Sequence, residues 1–349
     1  MTTRPSGGRG RRRRRPLLAA AALAAALAAS AVLSGFHVGL QAIDPAGAEA
    51  RSEIAGIQPV GIRTFTAPEG IRVEADLEYG TREDGTLLTL DVCRPALSDV
   101  AHASDADAAG DDAVPSPRAS LPAVVSIHGG SWARGDKANA DWRNVCLWLA
   151  SEGFVAVSVN YRLVPDAVFP AQLDDVALAV SWLREPEQVE RFDLDPARIG
   201  AFGGSAGGNL AALLGATGDG PLDEGSRVAA VAELSGPVAL DALDGGDAWL
   251  RGIVADYVAC DPDDLETGCP AAADASPTSR LDASDPPVFI GHAVGEVIPL
   301  AQSERFASAL RAVAVPVELA VVPGAEHSIG ILDAQLRARV AAFLHAHLG

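Results

Sequence analysis

Lysine is almost missing from this chain: Lys137 is the only one in 349 residues, and every other formal positive side-chain charge is an arginine. Those arginines are unevenly spread. Residues 1–50 carry seven of them against Asp44 and Glu49, which leaves 20 basic and 44 acidic side chains in the remaining 299 residues. A body with a net charge of −24 repels phosphate backbones and anionic headgroups, so nucleic acid is excluded as a partner. Cysteine is scarce too. There are four, with no C-x-x-C pair and no clustered histidines, which argues against a bound metal. No internal repeat breaks the chain into modules. Apolar residues are plentiful at 48%, enough for a sizeable core in one large or two small domains.

What is present begins with a targeting signal. Arg11 to Arg15 form a basic cluster ahead of LLAAAALAAALAASAVLSGFHVGL (17–40), which holds no formal charge. This is the n-region and h-region of an export signal, with cleavage sites at Ala46-Gly47-Ala48 or Ala48-Glu49-Ala50. The run is also long enough to anchor the chain uncleaved. Either way the arginines stay in the cytoplasm and the body goes outside, with residues 17–40 as its membrane contact. No lipobox cysteine follows. An exported body suits disulfides. Cys260 and Cys269 flank DPDDLETG and would form a local staple, with Cys93 and Cys146 as the second pair, although four cysteines allow three arrangements.

From residue 73 onward, apolar runs alternate with amphipathic segments. Strands are expected at 73–79, 87–93, 123–128, 154–161, 198–203, 228–235, 287–293 and 315–322. Several are continuous Val/Ile/Leu/Ala runs, as parallel strands covered on both faces require. Helices are expected at 141–152, 171–189, 206–216, 300–313 and 332–347. This alternation implies an α/β protein with a doubly wound sheet. Only the turn Gly80 to Gly85 separates the first two strands, which therefore form an antiparallel edge hairpin. Residues 51–72 read as a linker and 73–349 as a catalytic domain. Within it, residues 96–120 lack large apolar side chains and read as a flexible insertion. Residues 241–286, rich in Asp, Gly and Ala, read as a cap.

Three short stretches carry chemistry. RIGAFGGSAGGNL (198–210) places Ser205 in a G-x-S-x-G pattern between a buried strand and an apolar helix, the sequence form of a nucleophile elbow. The helix start offers unpaired backbone N–H groups to an oxyanion, with Ala206 first. A dinucleotide-binding loop would instead follow the first strand of its unit, and this one follows the fifth. His128-Gly129-Gly130-Ser131-Trp132 ends the third strand, where Gly129 and Gly130 let backbone donors approach a carbonyl oxygen. His327, in VVPGAEHSIG after the last strand, stands where a base for Ser205 belongs.

With LDVCRP, SIHGGSW, VSVNYRLVPDAVFPAQLDDV, RIGAFGGSAGGNLAALL, PPVFIGHAVGEVIP and GAEHS in place, residues 73–348 resemble the α/β-hydrolase fold. The likeness is to its secreted esterase/lipase branch with HGGxW, which includes acetyl xylan and feruloyl esterases and hormone-sensitive-lipase-like carboxylesterases. The resemblance implies an eight-stranded, mostly parallel sheet with helices on both faces and a small lid. It also implies a Ser205–His327–acid triad with an oxyanion hole at Gly129, Gly130 and Ala206, and no cofactor. Family members carry Asp in a segment like HGxxDxxVP. Here HAVGEVIP (292–299) is one residue shorter and holds Glu296 where the acid falls, with Asp285 as the fallback. The implied activity is hydrolysis of small-molecule or polysaccharide esters. Amide or peptide hydrolysis and a non-catalytic binding role are the alternatives.

Overall fold

The computed structural model describes residues 60–96 and 120–349; the export segment, its run at 17–40 and nearly all of the insertion at 96–120 lie outside the described residues. Eight strands form one sheet in the order β1-β2-β4-β3-β5-β6-β7-β8. They are β1 (Ile71–Thr81), β2 (Leu87–Pro95), β3 (Leu121–Ile127), β4 (Val155–Val159), β5 (Leu194–Gly204), β6 (Ala230–Leu234), β7 (Val288–Ala293) and β8 (Val317–Val322). Each coincides with an expected strand. The β1–β2 hairpin is antiparallel and β2 joins β4 antiparallel, while all pairs from β4 to β8 are parallel. The central strands are covered on both faces: every residue of β4 (VAVSV) and β6 (AVAEL) is buried, Ser158 and Glu233 included.

Two layers of helix cover the sheet. On one face lie α1 (Ala140–Ser151) and α8 (Ala334–Leu348), packing Val145, Trp148, Leu336 and Leu344 against Phe202 and Phe289. On the other lie α2 (Ala171–Leu183), α4 (Ala206–Gly215) and α7 (Leu300–Ala312), whose Val176, Leu210 and Phe306 share one core with Val125, Ala201 and Ile290; α5 (Ala248–Val258) joins that core through Leu250. The sheet and its two layers are those of the α/β-hydrolase fold.

Two boundaries differ from the sequence reading. The helix expected over 171–189 is two, because Pro186 opens a separate helix α3 (Pro186–Phe192) after Arg184 caps α2. Part of the segment read as a linker is structured. Gly61–Thr64 form a 3-10 turn whose Ile62 is buried, and Arg337 donates to Gly61 O (3.2 Å) and Thr64 Oγ1 (3.0 Å). The region read as a cap contains α5 and the short α6 (Pro270–Asp274). Disulfides join Cys93 to Cys146, between β2 and α1, and Cys260 to Cys269, between α5 and α6. Among the described residues no helix is long and apolar enough to cross a membrane.

Candidate active site

β5 ends at Gly204 and α4 starts at Ala206, so Ser205 alone makes the turn, at φ 60° and ψ −127°. That backbone costs a residue bearing a Cβ on the order of 1–3 kcal/mol. Its neighbours hold it there. Ser205 N–H donates to Leu234 O on β6 (2.8 Å), and Ser205 O accepts from Asn209 N–H (3.0 Å) to begin α4. The side chain is left on the rim of the sheet, half-buried.

The loop after β3 meets this turn backbone to backbone. A Cβ on Gly129 would fall 2.7 Å from Gly204 O and 3.0 Å from Ser205 Cβ, so only glycine fits. His128 sets the loop's direction. It is buried, stacked on Tyr161 with ring centroids 4.4 Å apart, and its Nδ1 lies 2.9 Å from Gly129 O. A carbonyl only accepts, so Nδ1 carries the proton. Burial pushes the imidazole pKa down, which keeps it neutral. Because C=O and N–H of one trans peptide point opposite ways, fixing Gly129 C=O on His128 aims Gly130 N–H away from it. Trp132 is then buried, stacked on Tyr257 of α5.

Glu296 and His327 are brought together by an extension of the β7–β8 pairing. Past the strand ends, Val294 N–H donates to Val322 O (3.0 Å) and Gly295 N–H to Gly324 O (2.9 Å), so the two loops run side by side. His327 Nδ1 then donates to Glu296 Oε2. The Glu296 carboxylate is fully buried, whereas the imidazole is 29% exposed. Burial alone would raise the Glu296 pKa, but the His292 and His327 imidazoles overcome it and bring it to about 2. Glu296 is therefore ionised, and the Nδ1–H tautomer leaves His327 Nε2 free to accept a proton. Asp285 sits elsewhere, paired with Arg227 (3.5 Å) ahead of β7.

Ser205 and His327 make no hydrogen bond to each other, but their neighbours are in contact. A Cβ on Gly204 would fall 2.1 Å from Ser328 Oγ. Ser328 N–H in turn donates to Ser235 Oγ (3.0 Å), at the end of β6. The loop that carries His327 is thus held against the strand ends that flank Ser205. Nothing in the sequence marks Ser235 or Glu233, the latter brought within electrostatic reach of His292 and Glu296 only by strand register. His292 was read only as part of its segment. Its i, i+4 spacing to Glu296 was the one available signal.

A family model, BD-FAE, matches residues 113–310, more than half of the chain. The chain belongs to the BD-FAE family. Curated relatives of this BD-FAE member include neutral cholesterol ester hydrolase 1 of Rattus norvegicus, 45% identical over 93 residues, or 26% of this chain and 23% of that protein. Esterase LipC of Mycobacterium tuberculosis is 31% identical over 242 residues, covering 62% of this chain and 55% of that one. The matched part spans about a quarter of the cholesterol ester hydrolases' length and about half of LipC's. Among solved structures, a truncated carbohydrate esterase from gut microbiota superposes with TM-score 0.63 at 23% identity, over 79% of this chain and 96% of that one. Thermogutta terrifontis esterase Est2 gives 0.58 at 24%, over 81% and 95%. At such identities these two likenesses speak for the BD-FAE member's fold.

Proposed function

We propose that this protein is a serine carboxylesterase that hydrolyses small acyl esters through an acyl-enzyme. The observation that carries the reading is the bond from His327 Nδ1 to the buried, ionised Glu296 beside the strained Ser205 turn. His327 Nε2 takes the Ser205 proton as the hydroxyl oxygen attacks the ester carbonyl. Glu296 holds the imidazole in register and stabilises its positive charge. The tetrahedral oxyanion is met by the backbone N–H groups of Gly129, Gly130 and Ala206. His327 then returns its proton to the leaving alcohol. Water, activated by the same base, releases the acid and restores Ser205. No step calls for a metal or cofactor.

The curated relatives whose names say esterase or ester hydrolase support ester substrates, while arylacetamide deacetylase keeps amide hydrolysis as the second reading. The ground for a non-catalytic reading was the altered HAVGEVIP segment, and the Glu296–His327 bond speaks for a working acid there. Residues 1–50 are proposed to export the body, and the two disulfides suit an oxidising exterior. Purified protein is expected to hydrolyse p-nitrophenyl acetate and to be labelled at Ser205 by a fluorophosphonate. Ser205→Ala should abolish both. Equal turnover in that variant would refute the assignment.

A further inference from the structure

We infer that His292 is a positioning residue that clamps the second oxygen of Glu296, and that this clamp lets a glutamate on a shortened loop serve as the triad acid. The inference rests on the triad reading above. A glutamate has one more rotatable bond than the aspartate usual in related segments. Held through a single oxygen, its carboxylate could swing away from the base, and fixing it costs side-chain entropy. Oε2 receives His327 Nδ1–H, while the buried Oε1 makes no hydrogen bond and has His292 Nε2 against it at 2.9 Å.

The His292 ring is itself over-determined. It is fully buried at the end of β7, with Nε2 also 2.9 Å from Ile298 O and Nδ1 2.8 Å from Ser303 Oγ of α7. Both oxygens near Nε2 are acceptors, so Nε2 carries the proton and Nδ1 accepts from the Ser303 hydroxyl. One N–H therefore holds the carbonyl of residue 298 by a hydrogen bond and stands against the carboxylate of residue 296. Its N–H is aligned on Ile298 O, and the approach to Oε1 is a close electrostatic contact.

The charged groups facing this ring are Glu296 from its own loop and Glu233 from β6. Glu233 pairs in register with Ile290, two residues before His292, and so points to the same face of the sheet. One Glu233 oxygen accepts from Gly236 N–H (2.8 Å). Burial raises the Glu233 pKa to about 8, so it is protonated at neutral pH and does not compete with Glu296 for the imidazole.

The test compares wild type with His292→Leu, which removes the donor, and His292→Gln, which keeps an N–H near the Nε2 position. Each is read by p-nitrophenyl acetate kinetics and by the downfield proton resonance of His327 Nδ1–H. Expected in Leu are a kcat loss of about 10–100-fold with KM within about two-fold, and disappearance of the resonance. Gln should regain most of both. Wild-type kcat and an intact resonance in a folded Leu variant would overturn the clamp. Should Leu fail to fold, Ser303→Ala releases the tautomer lock and is expected to lower kcat several-fold without changing KM; no change there would also overturn it. If wild type turns over no ester, the esterase reading fails, and the clamp is then judged by the resonance alone: loss in Leu and return in Gln supports it, persistence in Leu refutes it.

Discussion

Trp132 and Tyr257 lie face to face, with ring centroids 4.0 Å apart and planes 1° from parallel. The first belongs to the loop that carries Gly129 and Gly130, the second to α5 over the sheet, and both are buried. The proposed backbone donors for an oxyanion act well only if they cannot drift, and this stack ties their loop to a helix 125 residues away in sequence.

The stack, not the phenol, is expected to matter. Tyr257→Ala should lower unfolding stability by about 3–5 kcal/mol, as removal of a buried aromatic does, and reduce kcat with it. Tyr257 Oη has no hydrogen-bond partner among the described residues. Tyr257→Phe should therefore stay within about 1 kcal/mol of wild type. Urea denaturation midpoints separate the two; an equal loss in both variants would place the role in the hydroxyl.

Ser205 should prove a site where stability and activity oppose each other. Its φ of 60° suits glycine better than any L side chain. Ser205→Gly is thus expected to abolish turnover while raising stability by about 1 kcal/mol. Thermal unfolding of the two proteins, followed by circular dichroism, checks it. A destabilised Gly variant would mean that the hydroxyl contributes more to the fold than the turn costs.

Much of this architecture was readable from residue order because its signals are local. Buried strands such as VAVSV are unbroken apolar runs, and the Ser205 turn announces itself by glycines on both sides. What escaped was non-local or weakly patterned. Helix α5 interrupts its apolar residues with Arg251, Gly252 and Asp256, and leaves Trp249 45% exposed, so its periodicity is faint. Ser235 reaches Ser328 across 93 positions, a contact only strand order creates. Glu296, the proposed acid, lies between: it can be named from its segment, but its bond to His327 depends on loop pairing past β7 and β8.

Two buried carboxylates should give stability opposite dependences on pH. Glu233 has a folded-state pKa near 8 against an ordinary 4.5 because burial disfavours its charge. Between those values the folded protein keeps a proton that the unfolded chain has released, so each unit of rising pH costs about 1.4 kcal/mol. Glu296 is depressed to about 2 from 4.5 by its imidazoles, so its stabilisation is present above 4.5 and is lost as pH falls toward 2. Glu233→Gln should flatten the slope from pH 5 to 8 and leave the acid side unchanged. Denaturant titrations at half-unit pH steps read this directly, and an unchanged slope in Glu233→Gln would assign the dependence to other groups.

The two disulfides should differ in worth because they close loops of different length. Cys93–Cys146 spans 53 positions and Cys260–Cys269 spans 9. In the chain-entropy description, removing the first costs about 4 kcal/mol and the second about 2.5 kcal/mol. The longer one also ties β2 to α1 within the core, where Cys93 and Cys146 are both fully buried. Its loss therefore leaves a larger packing defect than loss of the bond between Cys269 and half-buried Cys260. Paired Cys→Ala variants, unfolded in urea under oxidising conditions, are expected to rank in that order, with esterase turnover falling in neither until unfolding begins. A larger loss from the Cys260–Cys269 pair would mean that α5 and α6 are ordered chiefly by their staple, and that the Trp132–Tyr257 stack depends on it.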